Sequence, residues 1–153
     1  MYRYWFDNIK GLTPVKKRIL YETFREAENL YHAPEDTIRK VVGIEEQDVL
    51  AVIESKRSWS LEAAWMRLQE RGISLVTLED DDYPAKLARI VAPPYALYYR
   101  GHLPDESHRS VAIVGARGRS AYGSQVARAL AKRLAEFDVD IISGMALGID
   151  TDG

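Results

Sequence analysis

The sequence predicts an α/β protein: a small all-helical module over residues 1–72, then an incomplete parallel-sheet domain over residues 73–153. Two observations carry that prediction. Up to Gly72 the apolar residues return every third and fourth position, as they do on one face of a helix. After it, the short apolar runs Ser110–Val114 and Val139–Ile142 flank an amphipathic stretch, and this βαβ pattern requires parallel strands covered by helices.

In the first module, Thr13 before Pro14 is an N-cap followed by a first-turn proline, and Val15, Ile19, Leu20 and Phe24 follow at helical spacing. Pro34 opens a helix carrying Ile38, Val41 and Val42, and Val49, Leu50 and Ile53 mark another. Leu61, Ala64, Trp65 and Leu68 form a stripe that Gly72 ends. Ile9-Lys10-Gly11-Leu12 and Val41-Val42-Gly43-Ile44 form a faint repeat at an offset of 32. A glycine turn between short helices is the geometry of a helix-hairpin-helix unit, whose backbone N–H groups and nearby lysines can hold a DNA phosphate. The first copy has Lys10, Lys16, Lys17 and Arg18, whereas Glu45, Glu46 and Asp48 beside the second would repel a phosphate. A purely structural module is therefore the expected reading.

From Ile73 the period shortens. Residues Ile73–Leu78 and Ala96–Tyr99 read as strands, with a short helix carrying Leu87 and Ile90 between them. Asp80, Asp81 and Asp82 precede Pro84 at that helix start, where carboxylates cap and favour the dipole rather than bind a hard cation. Ser110–Val114 is a strand, Gly115–Gly123 a loop, Ser124–Phe137 a helix with Val126, Leu130 and Leu134 on one side, Val139–Ile142 a strand, and Ser143–Gly148 a second glycine loop. Such apolar strands are expected to be buried on both faces. A parallel sheet of two or three strands leaves an apolar face open, so the sequence is expected to be the front part of something larger.

Composition narrows the function. At 46% hydrophobic and 29% charged, the chain is globular rather than disordered. With no cysteine it has no thiol nucleophile and no Cys-ligated zinc, and a reducing, cytoplasmic location is expected. No apolar run approaches the roughly 18 residues of a membrane span. Net charge is −2, but all six basic residues of 108–153, Arg109, Arg117, Arg119, Arg128, Lys132 and Arg133, precede the first acid, Glu136. That strand-loop-helix is the place to seek an anionic ligand; Arg128, Lys132 and Arg133 also suit a solvated helix face.

In an open parallel sheet, ligands bind outside the carboxyl ends of the strands, where helix N-termini favour an anion by about 0.3–1 kcal/mol. Gly115, Gly118 and Gly123 lack the G-x-G-x-x-G spacing, and the acid that would read a ribose is replaced by Ser143-Gly144. There is no phosphate loop of the G-x-x-x-x-G-K type either. Instead the first loop holds Arg117 and Arg119, whose donor forks suit phosphate at about 1.5–3 kcal/mol per charge-assisted bond. Tyr122 is the nearest aromatic on which a base could stack. The histidines, His32, His102 and His108, have no partner at ligand or triad spacing, no G-x-S-x-G elbow is present, and Asp150 suits holding a loop better than acting as a base. No cofactor is expected.

Val114-Gly115-Ala116-Arg117, then Tyr122-Gly123, then Ser143-Gly144-Met145-Ala146-Leu147-Gly148-Ile149-Asp150 resemble the paired loops of the DprA/Smf family, bacterial DNA-processing proteins of natural transformation. Tyr83-Pro84, Pro93-Pro94, Leu97-Tyr98 and Gly101 resemble the same family, which the chain matches in its front part. The resemblance implies a SAM-like or helix-hairpin-helix domain followed by an extended Rossmann-like domain. It implies a non-enzymatic protein that binds and protects single-stranded DNA, loads the RecA recombinase, and dimerises in full-length form. By position, the resemblance makes Arg117 the chief phosphate-binding side chain, with Gly115, Ala116, Ser143 and Gly144 as backbone donors; Arg119, Tyr122, Gly123 and Gly148 complete the set of residues expected to bind DNA. Ala116 stands where the family usually has serine, which removes one hydroxyl donor. The rival reading is an enzyme, a nucleotide phosphoribohydrolase of the lysine-decarboxylase-like type; its P-G-G-x-G-T stretch is absent from the sequence. Release of free base from nucleoside monophosphates would favour it.

Overall fold

The computed structural model describes residues 1–105 and 107–153. They form two compact units, Met1–Leu103 and Pro104–Gly153. The division falls beyond the 72/73 boundary that the change of period predicts, because the first two strands pair with each other and not with the later two.

The first unit begins with six helices, α1 (Tyr2–Asp7), α2 (Pro14–Phe24), α3 (Ala27–His32), α4 (Glu35–Arg39), α5 (Glu46–Ser58) and α6 (Leu61–Glu70). Thr13 Oγ1 accepts from the Lys16 amide at 3.3 Å and Pro14 opens α2, as the sequence predicts. Trp5, Phe6, Leu20, Leu30, Ile38, Val49 and Val52 form the core; each such aliphatic or Phe side chain contributes about 1.5–3 kcal/mol by leaving water. Trp5 meets Tyr31 edge-on at 4.9 Å and donates from Nε1 to Ser55 Oγ at 3.0 Å, so its one polar atom is satisfied. α4 ends at Arg39, earlier than the apolar pattern suggests, so Val42 lies outside the helix and is exposed. α5 buries Val49 and Val52 and leaves Leu50 in solvent. The faint repeat is present in the backbone: Gly11 and Gly43 both adopt φ +87°.

The helices are followed by β1 (Ser74–Thr77), the short α7 (Ala85–Ala88) and β2 (Ala96–Tyr99). β1 and β2 are antiparallel, with Ser74 opposite Tyr99 and Thr77 opposite Ala96, so these strands lie outside the parallel sheet expected for 73–153. Asp80 closes the turn after β1, accepting from the Thr77 amide at 2.8 Å and its hydroxyl at 2.9 Å while pairing with Arg3. Asp80 is thus structural, but it serves β1 and not the start of α7, while Asp81 and Asp82 are exposed.

The second unit is a βαβ crossover: β3 (Arg109–Ala112), α8 (Ala121–Ala135) and β4 (Val139–Ile142), then a short 3-10 turn, Ile149–Thr151. β3 and β4 are parallel, with Arg109 opposite Val139 and Ala112 opposite Ile142. The expected burial on both faces does not occur. β3 is exposed along its length, because two strands and one helix cannot cover two sheet faces. α8 buries Ala127 and Ala131, one position round from the Val126–Leu130–Leu134 stripe, and leaves Leu130 exposed. It also begins three residues early: Ser120 caps it by accepting from the Gly123 amide at 3.0 Å, so Tyr122 and Gly123 belong to its first turn and not to the loop.

Candidate nucleic-acid interface

Both glycine loops leave the carboxyl ends of β3 and β4, and the chain locks them together through backbone. The Ile149 amide donates to the Ala116 carbonyl at 3.2 Å, and the Gly115 amide donates to Asp150 Oδ1 at 3.1 Å. Gly148 lies at φ +110°, and a Cβ there would sit 2.3 Å from the Ala116 oxygen and 2.6 Å from the Arg117 Cα. Only glycine permits that approach. A Cβ on Gly115 would strike Ile149, and one on Gly144 would come within 2.8 Å of Asp150 Oδ2. Asp150 therefore holds the loops, the role its position in the sequence suggests. Ser143 reinforces it, donating from Oγ to the Asp150 carbonyl at 2.7 Å.

The two loop arginines differ. Arg119 is turned inward: Nη1 donates to the Gly148 carbonyl at 2.9 Å and Nε lies 3.1 Å from Asp152 Oδ2. Arg128, expected on a solvated helix face, donates from Nε and Nη2 to Asp152 Oδ1 at 2.9 and 2.8 Å. Asp152 is buried, and the Ser124 hydroxyl, then Arg128 and Arg119, hold its carboxyl below the usual carboxylate range against the effect of burial. Arg117 is exposed and has no acid within ion-pair distance among the described residues. The amides of Ala116, Arg117, Gly144 and Met145 likewise have no hydrogen-bond acceptor among the described residues.

The structure thus brings Ala116, Arg117, Ser143, Gly144 and Gly148 together at the strand ends. It commits the N–H groups of Gly115 and Gly123 and the guanidinium of Arg119 to internal partners, and it places Tyr122, 77% exposed, on the first turn of α8. The sequence reading missed two residues on which the loops rest, Ile149 and Asp152. The apolar side chain after Gly148 was a readable signal for the first; nothing in the local pattern signals the second.

The basic residues around Gly11 are arranged differently. Lys16 Nζ donates to the Gly43 carbonyl at 2.7 Å and to Glu45 at 2.9 Å, and it lies 3.1 Å from Asp48. Glu45 and then Asp48 raise its pKa. Lys17 donates to the Asp7 carbonyl, and burial lowers its pKa. Arg18 pairs with Glu22. Of the lysines that a helix-hairpin-helix would offer to DNA, Lys16 clamps the Gly43 turn and Lys17 holds the Asp7 carbonyl, whereas Lys10 is exposed and has no partner among the described residues.

Fold and site together define an α/β protein whose two loops meet at the ends of adjacent parallel strands. The family model described as DNA recombination-mediator protein A matches residues 74–152. The chain belongs to that family, DprA/Smf. It is 30% identical over 155 residues to Protein Smf of Synechocystis sp., covering 97% of this chain and 39% of that protein. It is 31% identical over 156 residues to Protein Smf of Borreliella burgdorferi, covering 97% of this chain and 46% of that protein. The DNA processing protein DprA of Bacillus subtilis is 37% identical over 83 residues, 54% of this chain and 28% of that protein. The X-ray structure of DNA processing protein A from Streptococcus pneumoniae superposes with a TM-score of 0.70 at 24% identity, over 99% of this chain and 51% of that one. The chain therefore shares the fold of that protein and spans less than half the length of these curated relatives.

Proposed function

We propose that this chain is a non-enzymatic single-stranded DNA binder that holds the backbone by its phosphates, with Arg117 as the chief side chain. The observation that carries the reading is the contrast between the loop arginines. Arg119 is paired with Asp152, whereas Arg117 is exposed with no acid partner, and the amides of Ala116, Gly144 and Met145 at the same strand ends have no acceptor among the described residues. A guanidinium and backbone N–H groups beside the N-terminus of α8 form an anion receptor that reads no sequence. Membership of a DNA recombination-mediator family supports nucleic acid as the anion.

The SAM-like and Rossmann-like subdivision, a role in natural transformation, a cytoplasmic setting, RecA recombinase as a partner and pairing with a second copy belong to the same proposal. No helix among the described residues is long and apolar enough to cross a membrane. Asp150, the acid nearest the loops, accepts the Gly115 amide, an engagement that suits a scaffold better than a general base.

A salt titration with oligo-dT tests the core of the proposal. The log-log slope should be about −0.7 per neutralised phosphate, and Arg117→Ala should weaken binding and flatten the slope by about one phosphate. Unchanged binding would refute the assignment of Arg117, and release of free base from nucleoside monophosphates would refute the non-enzymatic reading.

A further inference from the structure

We infer that Arg119, Asp152 and Arg128 form a second phosphate contact for the same single strand, with Arg128 as the side chain that meets the phosphate and Asp152 as the residue that positions it. This inference rests on the single-stranded DNA reading above and adds a site to it. The charges of the three residues do not cancel. The Asp152 carboxyl is held below the usual carboxylate range, so it carries one negative charge at neutral pH, and two guanidiniums share it. Neither arginine has another acid within ion-pair distance among the described residues. One positive charge is left over.

Burial decides where that charge is presented. The Asp152 side chain is 2% exposed, whereas those of Arg119 and Arg128 are 39% and 66% exposed. The acid lies beneath the arginines, and an incoming anion meets guanidinium before carboxylate. Arg119 is the more committed of the two, with Nη1 on the Gly148 carbonyl and Nε beside Asp152. Arg128 directs Nε and Nη2 to the single oxygen Oδ1, which fixes the plane of its fork and leaves Nη1 without a partner among the described residues. A guanidinium already oriented from behind loses little freedom on taking a phosphate.

Continuity identifies the ligand. Arg119 holds the Gly148 carbonyl, and Gly148 is pressed against the Arg117 backbone with no room for a Cβ, so the two cationic centres are joined through Arg119. From there α8 carries the charge outward. Lys132 follows Arg128 by one turn, about 6 Å along the axis; it is exposed and has no acid partner among the described residues. Like charges at that spacing destabilise a helix, so helix formation does not account for the pair. A chain of phosphates does: a lone phosphate meets one centre, whereas a strand with a charge on every nucleotide meets both.

The test is a salt titration of the full chain with oligo-dT. Arg128→Gln should weaken binding about fivefold near 0.1 M salt and flatten the log-log slope by about 0.7, the share of one phosphate. Arg128→Lys keeps the charge and should keep the slope. Asp152→Asn removes the acid and leaves both arginines, so its slope, read below the melting temperature of the variant, should steepen; a purely structural triad predicts weaker binding at an unchanged slope. If Asp152→Asn does not fold, Arg128→Gln alone decides. Combining Arg117→Ala with Arg128→Gln should remove the slope of two phosphates. Parent-like binding by Arg128→Gln, or weaker binding at an unchanged slope, overturns the second contact. The second contact alone fails if Arg117→Ala still flattens the slope, whereas an Arg117→Ala variant with the parent's slope and affinity ends the phosphate reading at Arg117.

Discussion

Lys16 and Arg117 each stand close to a glycine turn that positions a neighbouring backbone, yet one is surrounded by carboxylates and the other by none. In the helical unit the cation is structural: Lys16 bridges the Gly43 turn to Glu45 and Asp48. In the βα unit a buried acid, Asp152, takes up Arg119 and Arg128 and leaves Arg117 to the solvent. The lesson is that a basic residue beside a glycine loop becomes a candidate for binding only after every acid in its neighbourhood has been assigned a partner. Local sequence spacing does not supply that assignment.

The comparison breaks most completely at Gly148. Gly148→Ala forces a Cβ to 2.3 Å from the Ala116 oxygen at a left-handed φ. We expect a loss of about 3 kcal/mol or more in denaturant unfolding of the second unit, with loss of DNA binding. Gly118→Ala has open space around its Cβ and should be silent in both measurements.

Arg117→Ala comes next. Losing one charge-assisted contact of about 1.5–3 kcal/mol predicts roughly 10- to 100-fold weaker oligo-dT binding with unchanged melting. Lys16→Met should do the opposite, lowering the melting temperature of the helical unit while leaving DNA affinity alone. If Lys16→Met weakened DNA binding as Arg117→Ala does, the contrast between the two units would collapse.

Asp152→Asn sharpens the contrast through pH. The carboxyl of Asp152 is held below its ordinary range when folded. It therefore stabilises the fold above the unfolded value of about 3.9, and that contribution is lost as pH falls through the folded value. Thermal melts should show the variant less stable at pH 7, with the gap closing below about pH 3.9. A gap that persisted at lower pH would assign the effect to side-chain shape rather than charge. A smaller effect is expected at Gly43→Ala. Its φ of +87° should cost about 1 kcal/mol, because the nearest atom, Ile19 Cδ1 at 3.0 Å, is the mobile end of a side chain.

Much of this was legible before the structure. β2 and β4 fall where their apolar runs begin and end, because a short β-branched or aromatic run bounded by turns has few alternatives. The cap at Thr13, the stop at Gly72, the twin turns at Gly11 and Gly43 and the loop-holding Asp150 were equally readable. What escaped depends on distant partners. That β1 pairs antiparallel with β2, outside the parallel sheet, is a choice between strands that no single run encodes. The early start of α8 followed from the Ser120 cap, which the glycine at 123 disguised as loop. The burial of Ala127 and Ala131 in place of Leu130 reflects a helix that packs closely on a sheet too narrow to cover large side chains. At the site, Gly115 and Arg119 look as available as Arg117 in sequence; only Asp150 and Asp152, folded back from beyond the second loop, tell them apart.

The backbone interlock at Gly148 bears on timing. A receptor whose two walls are already fastened to each other has little to rearrange when a strand arrives, so encounter should be governed by charge and diffusion, and variants of comparable charge should differ mainly in how long the complex survives.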